Sequence, residues 1–464
     1  MPHASEPRTL VTHPELQSQR SFPTFQSDGD GPRNALERLL ALFADVRAGE
    51  GVGALLLASN VFLLLATYYL LKTVREQLVL SEGGAEVKVY ASAAQAVLLL
   101  GVVPIYGWLS TKVARLRLIG VTTIFFAANL VIFAALGRAG VREGVAFYIW
   151  LGIFNMFVVS QFWAFANDVY TEGQGRRLFP LIGVGSSLGA WLGAEAAVAL
   201  VARLALTPYV IMILAAGLLV GCLGITAWVH ARERRTPDPI GAIAADEPLG
   251  GEGAFSLIRR TPYLAWIAGL VILLNVVNTS GEFILSKLVV EQAAAQFGTV
   301  DSTMAARQQF IGVFFGAFYG WVNLLGLLLQ LFVTSRLIRI IGVRGTLFVL
   351  PVIALVNYAV IAVAPLLAIV RVTKTLENGS NYSIQNTVRE ALFLPTTREA
   401  KYKAKTAIDT LGARLGDVLQ AGIVRVGTAF GASVTAFAWL NVGLTLVWFV
   451  VASRIAREHR RQTQ

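Results

Sequence analysis

The sequence predicts an all-α polytopic membrane protein, with about twelve transmembrane helices arranged as two six-helix halves. Three observations predict this fold class. Of the 464 residues, 55% are hydrophobic and only 14% are charged, whereas soluble domains carry roughly 25% charged residues. The apolar residues form blocks of about 20, the length that crosses a bilayer. These blocks do not alternate apolar with polar residues as barrel strands do, so helices must satisfy the backbone hydrogen bonds.

The N-terminal segment precedes the first apolar block and is polar. Residues 1–33 are rich in Ser, Pro, His and charge and lack the apolar core of a signal peptide. They predict a disordered cytoplasmic tail. Apolar residues then recur at helical spacing opposite charged ones, which predicts an amphipathic interfacial helix over 34–48. The apolar residues of that helix are Leu36, Leu39, Leu40, Phe43 and Val46.

Twelve apolar segments follow, numbered here as spans one to twelve. The first six are expected near 52–79, 88–109, 118–137, 145–169, 178–202 and 208–230. The second six are expected near 262–289, 307–334, 345–364, 366–386, 404–427 and 431–454. The polar stretch 232–261 predicts a cytoplasmic linker between an N-terminal half, 49–231, and a C-terminal half, 262–454. Residues 455–464 form a cytoplasmic tail.

Basic residues are distributed unevenly between the loops. Loops after even-numbered spans are rich in Lys and Arg, as in Lys112, Arg115 and Arg117, whereas the opposite loops carry scattered ones such as Lys88 and Arg138. The positive-inside rule therefore places both termini in the cytoplasm, with the chain in a bacterial inner (plasma) membrane. Because the net charge of +11 resides largely in these loops, it does not indicate a nucleic-acid partner.

The two halves repeat the same order of features. In the first half, Asn167 ends a span, a basic loop follows, and Gly185 and Gly189 lie in the next helix. In the second, Asn386, a basic loop, and Gly412 and Gly416 follow in the same order. Parallel six-helix repeats joined by a central loop are the architecture of the major facilitator transporters.

Two spans carry a glycine at every fourth position, and such faces let helices approach closely. In the facilitator fold spans five and eight face each other across the halves, so smooth faces there would permit rocking; general helix packing is the alternative. The glycines are Gly185, Gly189 and Gly193 in span five, and Gly312, Gly316 and Gly320 in span eight.

Polar and ionisable side chains within the spans predict a substrate site. Each charge at the membrane centre costs about 2.5–3.5 kcal/mol on insertion scales, and here they concentrate in spans one, four, seven and ten, which line the central cavity of the facilitator fold. The predicted substrate-binding residues are Lys72, Arg75, Glu76, Asn155, Asn278, Glu282, Arg371, Lys374, Asn378 and Tyr382.

Other interpretations of these charges stay open. Lys72 and Arg75 can snorkel to the outer interface, Lys72 can pair with Glu76 within one helix, and Glu282 can neutralise a base on a neighbouring helix. Basic members slightly outnumber acidic ones, and guanidinium and ammonium groups are suited to holding anions. The set therefore indicates a small anionic solute.

Charged residues at the cytoplasmic ends predict a gate. Asp168 with Arg177, and Asp409 with Lys405, occupy mirrored places in the two halves. Interhelical salt bridges there would latch the inner mouth in an outward-open state. Alternatively, the basic residues of this set only follow the positive-inside rule and have no role in a gate.

Motifs for chemistry are lacking. The single cysteine, Cys222, excludes a disulfide framework and a cysteine-ligated metal site. Gly183 and Gly185 followed by Gly189 mimic a dinucleotide loop, but no strand precedes them. Because there is no Walker A motif, zinc spacing or nucleophile elbow, we expect no metal, no cofactor and no enzymatic activity.

Four stretches carry a resemblance to a known family. They are Lys72 to Val79 with the following Gly84-Ala85-Glu86; Phe162 to Asn167 with Arg177 to Pro180; Asn278 to Lys287 around Glu282; and Tyr382 to Glu390 with Pro395 and Lys403 to Asp409. In these stretches the chain resembles the ATP:ADP exchangers, the nucleotide transporters of plastids and intracellular bacteria, which are related to the major facilitator superfamily.

The resemblance implies functional basic residues in span one and near span eleven, and acidic ones in spans four and seven. Arg75, Lys405 and Glu282 stand at three of these positions, whereas Leu151 occupies the fourth. The implied activity is alternating-access exchange of ATP and ADP, or of a related phosphorylated anion. Separately, we expect the protein to act as a monomer in the lipid bilayer. A proton-coupled transporter of another organic anion or metabolite, with Glu282 as proton carrier, and a non-transporting scramblase or receptor remain alternatives.

Overall fold

A computed structural model describes residues 34–41, 45–233, 254–397 and 400–463. The predicted tail 1–33 and most of the predicted linker lie outside the described residues. The chain divides into two compact units, residues 1–52 and 53–464, which are described separately.

The first unit contains one short helix, α1 (Ala35–Leu40). Asn34 caps it through a reciprocal capping box with Glu37. The other carboxylate oxygen of Glu37 accepts a hydrogen bond from the backbone N–H of Gly49, at 2.7 Å. Among the described residues α1 is therefore shorter than the helix predicted over 34–48, because the chain turns back at 48–50 to reach Glu37.

The second unit is a bundle of helices, and its described residues include no strand. Its α-helices are α2 (Gly51–Lys112), α3 (Arg115–Arg138), α4 (Gly144–Val169), α5 (Glu172–Val198), α6 (Pro208–Glu233), α7 (Ala254–Arg260), α8 (Pro262–Phe297), α9 (Met304–Leu329), α10 (Ser335–Thr346), α11 (Val349–Val363), α12 (Leu367–Ser380), α13 (Asn386–Leu392), α14 (Lys405–Ala407), α15 (Ala413–Ala429) and α16 (Val434–Thr463).

These helices account for the twelve predicted spans. Within the described ranges, eight helices are long and apolar enough to cross a membrane, and α11 is a shorter apolar one. One of the eight, α2, covers spans one and two because it bends at Gly84, where φ is +76°. The helices of spans ten and eleven, α12 and α15, are less apolar because they carry charged side chains.

Wide helical turns continue several of these helices. π-Helical segments follow α5, α9 and α12 and flank α14, at Ala199–Arg203, Gln330–Thr334, Asn381–Gln385, Ala400–Ala404 and Ile408–Gly412. Such turns occur frequently at functional sites. The segment Asn381–Gln385 directly follows the polar face of α12.

Two hydrophobic cores underlie the two halves. The buried members of one core all lie between Leu57 and Val229. The other core extends from Tyr263 to Ile455 and includes some residues of the first half, such as Tyr69. This grouping agrees with two six-helix halves, while the boundaries predicted for them stay a prediction.

The glycine faces pack differently from the expectation. Gly185 of α5 lies against α2, where an added Cβ would be 2.5 Å from the carbonyl oxygen of Ala58. Gly316 of α9 does face α5, where an added Cβ would be 2.8 Å from a methyl of Val198. Thus α9 presents its glycines to the other half, whereas α5 uses its own within the first half.

Candidate functional site

The Glu76 carboxylate is a meeting point of the two halves. It has no exposed surface and lies in α2, where the neighbouring Arg75 guanidinium donates to it. Lys88 lies beyond the bend at Gly84, which returns the chain so that Nζ is 2.8 Å from Glu76 Oε2. From the second half, the Tyr319 hydroxyl of α9 donates to Glu76 Oε1 at 3.0 Å.

Lys88 was assigned to an outer loop in the sequence analysis, and that assignment is wrong. The side chain is buried, and Nζ donates to the hydroxyl of Ser286 in α8, at 2.9 Å. It also lies over the Phe315 ring of α9, 5.1 Å from the centroid. Lys88 therefore connects Glu76 with the second half. The paired glycines at 83 and 84, midway between Glu76 and Lys88, were the available sign of a tight return.

Lys72 lies at the interface of the two halves, against two aromatic rings. Its ammonium lies 4.0 Å from the ring centroid of Tyr319 in the second half and 5.0 Å from that of Tyr69 in α2. It makes no hydrogen bond or ion pair with the residues that the structure describes. The intrahelical Lys72–Glu76 pair considered above is not formed, because Glu76 is taken by Arg75 and Lys88.

Glu282 faces the same interface from α8. It is partly buried and accepts a hydrogen bond from the buried Asn378 amide of α12, at 2.7 Å. It lies within electrostatic range of Lys72, although no ion pair joins them. Tyr382, one turn further along from Asn378, exposes 47% of its surface. Glu282 and Tyr382 are thus accessible polar groups of the second half.

Lys374 is placed differently from a substrate-binding lysine. Its side chain is fully buried, and Nζ contacts Glu377 Oε1 at 3.0 Å and the Asn278 side-chain oxygen at 3.2 Å. The Tyr358 hydroxyl lies 3.0 Å from the same Glu377 oxygen. Gly281 permits this closure, because a Cβ there would lie 2.8 Å from Lys374 Nζ. Lys374 and Asn278 therefore belong to a hydrogen-bonded network around Glu377, and their role in substrate binding stays a prediction.

Arg371 and Asn155 are less constrained. The Arg371 guanidinium lies over the Phe314 ring of α9, 5.5 Å from the centroid, and makes no ion pair within the described ranges. It shares a helix face with Asn378 and Tyr382 by its spacing.

Asn155 of α4 is partly buried, and none of the described residues forms a hydrogen bond with its side chain. The guanidinium of Arg75 also lies over the Tyr148 ring of α4, at 4.4 Å.

The predicted gate residues lie at the other end of the bundle. Lys405 bridges Asp409 and Glu390, each at 3.1 Å, and Arg389 lies 3.6 Å from Asp409. These pairs stay within the second half. In the first half, Asp168 lies near the end of α4 and Arg177 lies in α5. Both residues take part in a polar or electrostatic interaction.

Polar contacts join the halves at the end where α2 bends. Lys287 Nζ lies 3.3 Å from Glu86 Oε1, and the Gln308 amide donates to the Ser81 hydroxyl at 3.3 Å. Arg142 and Asp301 approach to 3.6 Å on the exposed surface. This is the end that the positive-inside rule places outside, and there the two halves are in contact.

Two cores with a charged cluster between them define a polytopic membrane protein with the major facilitator fold. The nucleoside transporter NupG shares this fold at a TM-score of 0.59, with 13% identity over 86% of this chain and 98% of that one. A POT family transporter in complex with a thioalcohol conjugated peptide gives 0.60, with 14% identity over 89% of this chain and 97% of that one. At these identities the likeness establishes the fold alone.

Comparison with known sequences confirms the resemblance to the ATP:ADP exchangers. Residues 240–459 match the TLC ATP/ADP transporter family model. ADP,ATP carrier protein 1 of Chlamydia muridarum is 26% identical over 67% of this chain, and the match spans 64% of the carrier's length, less than two thirds. ADP,ATP carrier protein 2 of Chlamydia trachomatis serovar D is 23% identical over 86% of both chains.

The residues singled out by the resemblance separate into two places. Arg75 and Glu282 lie at the interface of the halves, whereas Lys405 lies among the acidic groups at the other end. Leu151 is fully buried in the first core, so no acidic side chain occupies that place. Tyr319, Tyr69 and Lys88 were missed, because helical periodicity identifies a polar face but not the neighbours that it meets.

Proposed function

We propose that this protein exchanges nucleotides of the ATP/ADP type, or a related phosphorylated anion, across the bilayer by alternating access. One observation carries the proposal: the Lys72 ammonium stands between the halves, against a ring from each, and forms no ion pair or hydrogen bond with the described residues. An unpaired charge inside a membrane protein is costly and marks a substrate pathway. A phosphate group would form the ion pair that Lys72 lacks.

The charge balance of the cluster supports an anionic substrate. Five basic side chains stand against three acidic ones; the basic residues are Lys72, Arg75, Lys88, Arg371 and Lys374, and the acidic ones Glu76, Glu282 and Glu377. Bound phosphate would offset this excess, and Arg371 can engage it through two parallel hydrogen bonds.

Aromatic rings beside the cations suit a nucleobase. Tyr69 and Tyr319 line the place of Lys72, and the exposed Tyr382 is near Glu282 in the same region. Bases stack on aromatic side chains without requiring a particular sequence of donors and acceptors. The carriers that this chain resembles are named for ADP and ATP, which agrees with a phosphate-and-base site.

In the proposed transport step, contacts between the two halves must break on one side of the membrane. The halves touch through Glu76, Tyr319, Lys88 and Ser286 at the bent end of α2, so opening that side requires these bonds to break. A substrate held by Lys72 of one half and the Glu282–Asn378 face of the other biases this equilibrium. No covalent bond changes. In this proposal the protein is a monomer of the bacterial inner membrane, with both termini and the linker cytoplasmic and the gate at Asp168, Arg177, Lys405 and Asp409.

The test is uptake of radiolabelled ATP into proteoliposomes preloaded with ADP. We expect the wild type to exchange, and Arg371→Ala and Glu282→Ala each to lose at least tenfold of the initial rate. Arg138→Ala is the matched control, because Arg138 is exposed at the end of α3. A correctly folded wild type that moves no nucleotide, with or without a counter-substrate, would refute nucleotide exchange.

Proton coupling is the second candidate, and one observation favours it. The described residues provide Glu282 with a hydrogen bond from Asn378 but with no basic ion-pair partner, as a proton carrier requires. An imposed pH gradient distinguishes the modes: it drives net uptake into liposomes without internal nucleotide if protons are coupled, and has no such effect on a strict exchanger.

A further inference from the structure

A second unusual carboxyl group lies outside the charged cluster, where the bend of α2 meets the start of α4. Glu143 stands at the N-cap position of α4, yet its side chain makes no capping hydrogen bond. Glu82, from the bend of α2, takes that role instead, and its Oε2 accepts from the Gly144 N–H at 2.7 Å. The backbone N–H of Glu143 also donates to Glu82.

The Glu143 carboxyl group is buried without a partner. It exposes 4% of its surface, and neither oxygen has a hydrogen-bond partner within the described structure. Glu82 adds a like charge from α2, and the Tyr209 phenol approaches from α6. The nearest base along the chain, Arg142, is exposed and points to Asp301, at 3.6 Å.

These surroundings oppose ionisation. A buried carboxylate without donors loses its hydration and gains nothing in exchange, whereas a neutral carboxyl group avoids most of that loss. The positive end of α4 favours an anion, but the Glu82 carboxylate already occupies it. Burial, and then the charge of Glu82, raise the pKa of Glu143 from 4.5 to about 7.

We propose that the buried and unpartnered carboxyl group of Glu143 is a proton-binding site whose occupancy is coupled to the packing of α2, α4 and α6. Loss of the proton places a second negative charge beside Glu82 and loosens the corner formed by α2, α4 and α6. Because the pKa is raised on folding, the stabilisation is fully present below pH 4.5 and is lost as the pH rises through about 7. The positive-inside prediction places this corner outside, so it would respond to external pH.

The test is thermal unfolding of the purified full chain in detergent between pH 5.5 and 8.5. We expect the melting temperature of the wild type to fall as the pH rises from 5.5 to about 7 and to level off above it, and Glu143→Gln to remove at least half of that fall. Glu291→Gln, at an exposed site on α8, is the matched control and should keep the profile of the wild type. In Glu82→Gln the melting temperature should level off at a lower pH.

A second readout keeps the proposal falsifiable if the variant is unstable. The infrared band of a protonated carboxyl group should be present at pH 6, fade on raising the pH to 8.5, and be missing from Glu143→Gln. A wild-type pH profile that Glu143→Gln retains in full, or a protonated band that does not depend on Glu143, overturns the proposal. Neither readout involves transport.

Discussion

Lys72 and Lys374 have the same side chain but opposite environments. Both lie in spans that are predicted to line the central cavity, and both were expected to bind substrate. The structure buries Lys374 against Glu377 and Asn278, whereas Lys72 lies against two rings and forms no ion pair with the described residues. Lys374 is therefore expected to stabilise the fold through its ion pair, whereas Lys72 is free to form an ion pair with a ligand.

This difference predicts two separable phenotypes. We expect Lys72→Gln to lose at least tenfold in nucleotide exchange while its melting temperature stays close to that of the wild type. Lys374→Ala leaves Glu377 buried and unpaired, so it should lose about 3–5 kcal/mol of stability, with a visibly lower melting temperature. Thermal unfolding and exchange are measured on both variants. Equal stability losses in the two would contradict the assignment.

The sequence shows which charged residues lie within the spans but not which residues they contact. Charges within apolar spans are conspicuous, so Lys72, Arg75, Glu76 and Glu282 could be identified directly. Partners such as Tyr319 and Ser286 come from distant helices, and nothing in a single periodic pattern specifies them. For Lys88, the bend at Gly84 carries the residue inward from where a loop was expected.

The contact of α5 with α2 depends on residues without side chains. Gly185, Gly189 and Gly193 place α5 directly on the backbone of α2 at Ala58, Phe62 and Ala66. Small residues permit such an approach within membranes, where packing replaces the hydrophobic effect as the driving force. These two helices belong to one half, so the contact holds that half closely packed.

A side chain at Gly185 should therefore separate the two helices. We expect Gly185→Val to lower the melting temperature and the yield of folded protein, because the Cβ alone would lie 2.5 Å from the carbonyl oxygen of Ala58. Gly183→Val is a control in the same helix, since an added Cβ at Gly183 has no neighbour within 4 Å. The measurement is thermal unfolding in detergent. Similar losses in both variants would mean that helix propensity, not packing, sets the effect.

Helix positions were predictable because bilayer thickness sets the length of an apolar block. The predicted span at 208–230 agrees closely with α6, Pro208–Glu233. Short interruptions were not predictable: the π-helical turns at Asn381–Gln385 and Ile408–Gly412 change the register without changing composition. Hydropathy therefore does not report them.

The two halves could be inferred from the polar linker and the repeated order of features, but their relative state could not. In the proposed alternating access, one sequence must stabilise both an inward-open and an outward-open arrangement and so encode contacts for each. The structure forms the set at the bent end of α2, including Glu86 with Lys287 and Ser81 with Gln308. The pairs at the opposite end that involve Lys405 and Asp409 remain within one half.

If exchange requires these halves to separate, then joining them should stop it. Glu86 and Lys287 come from α2 and α8, and their charged atoms are 3.3 Å apart. We expect the Glu86→Cys, Lys287→Cys double variant, closed by a short thiol-reactive linker that a reductant cleaves, to lose exchange and to recover it on reduction. Each single variant treated in the same way is the control, because it cannot bridge the halves. Native Cys222 is buried and should not react. Exchange that continues at the uncrosslinked rate in fully bridged protein would show that this end does not open during transport.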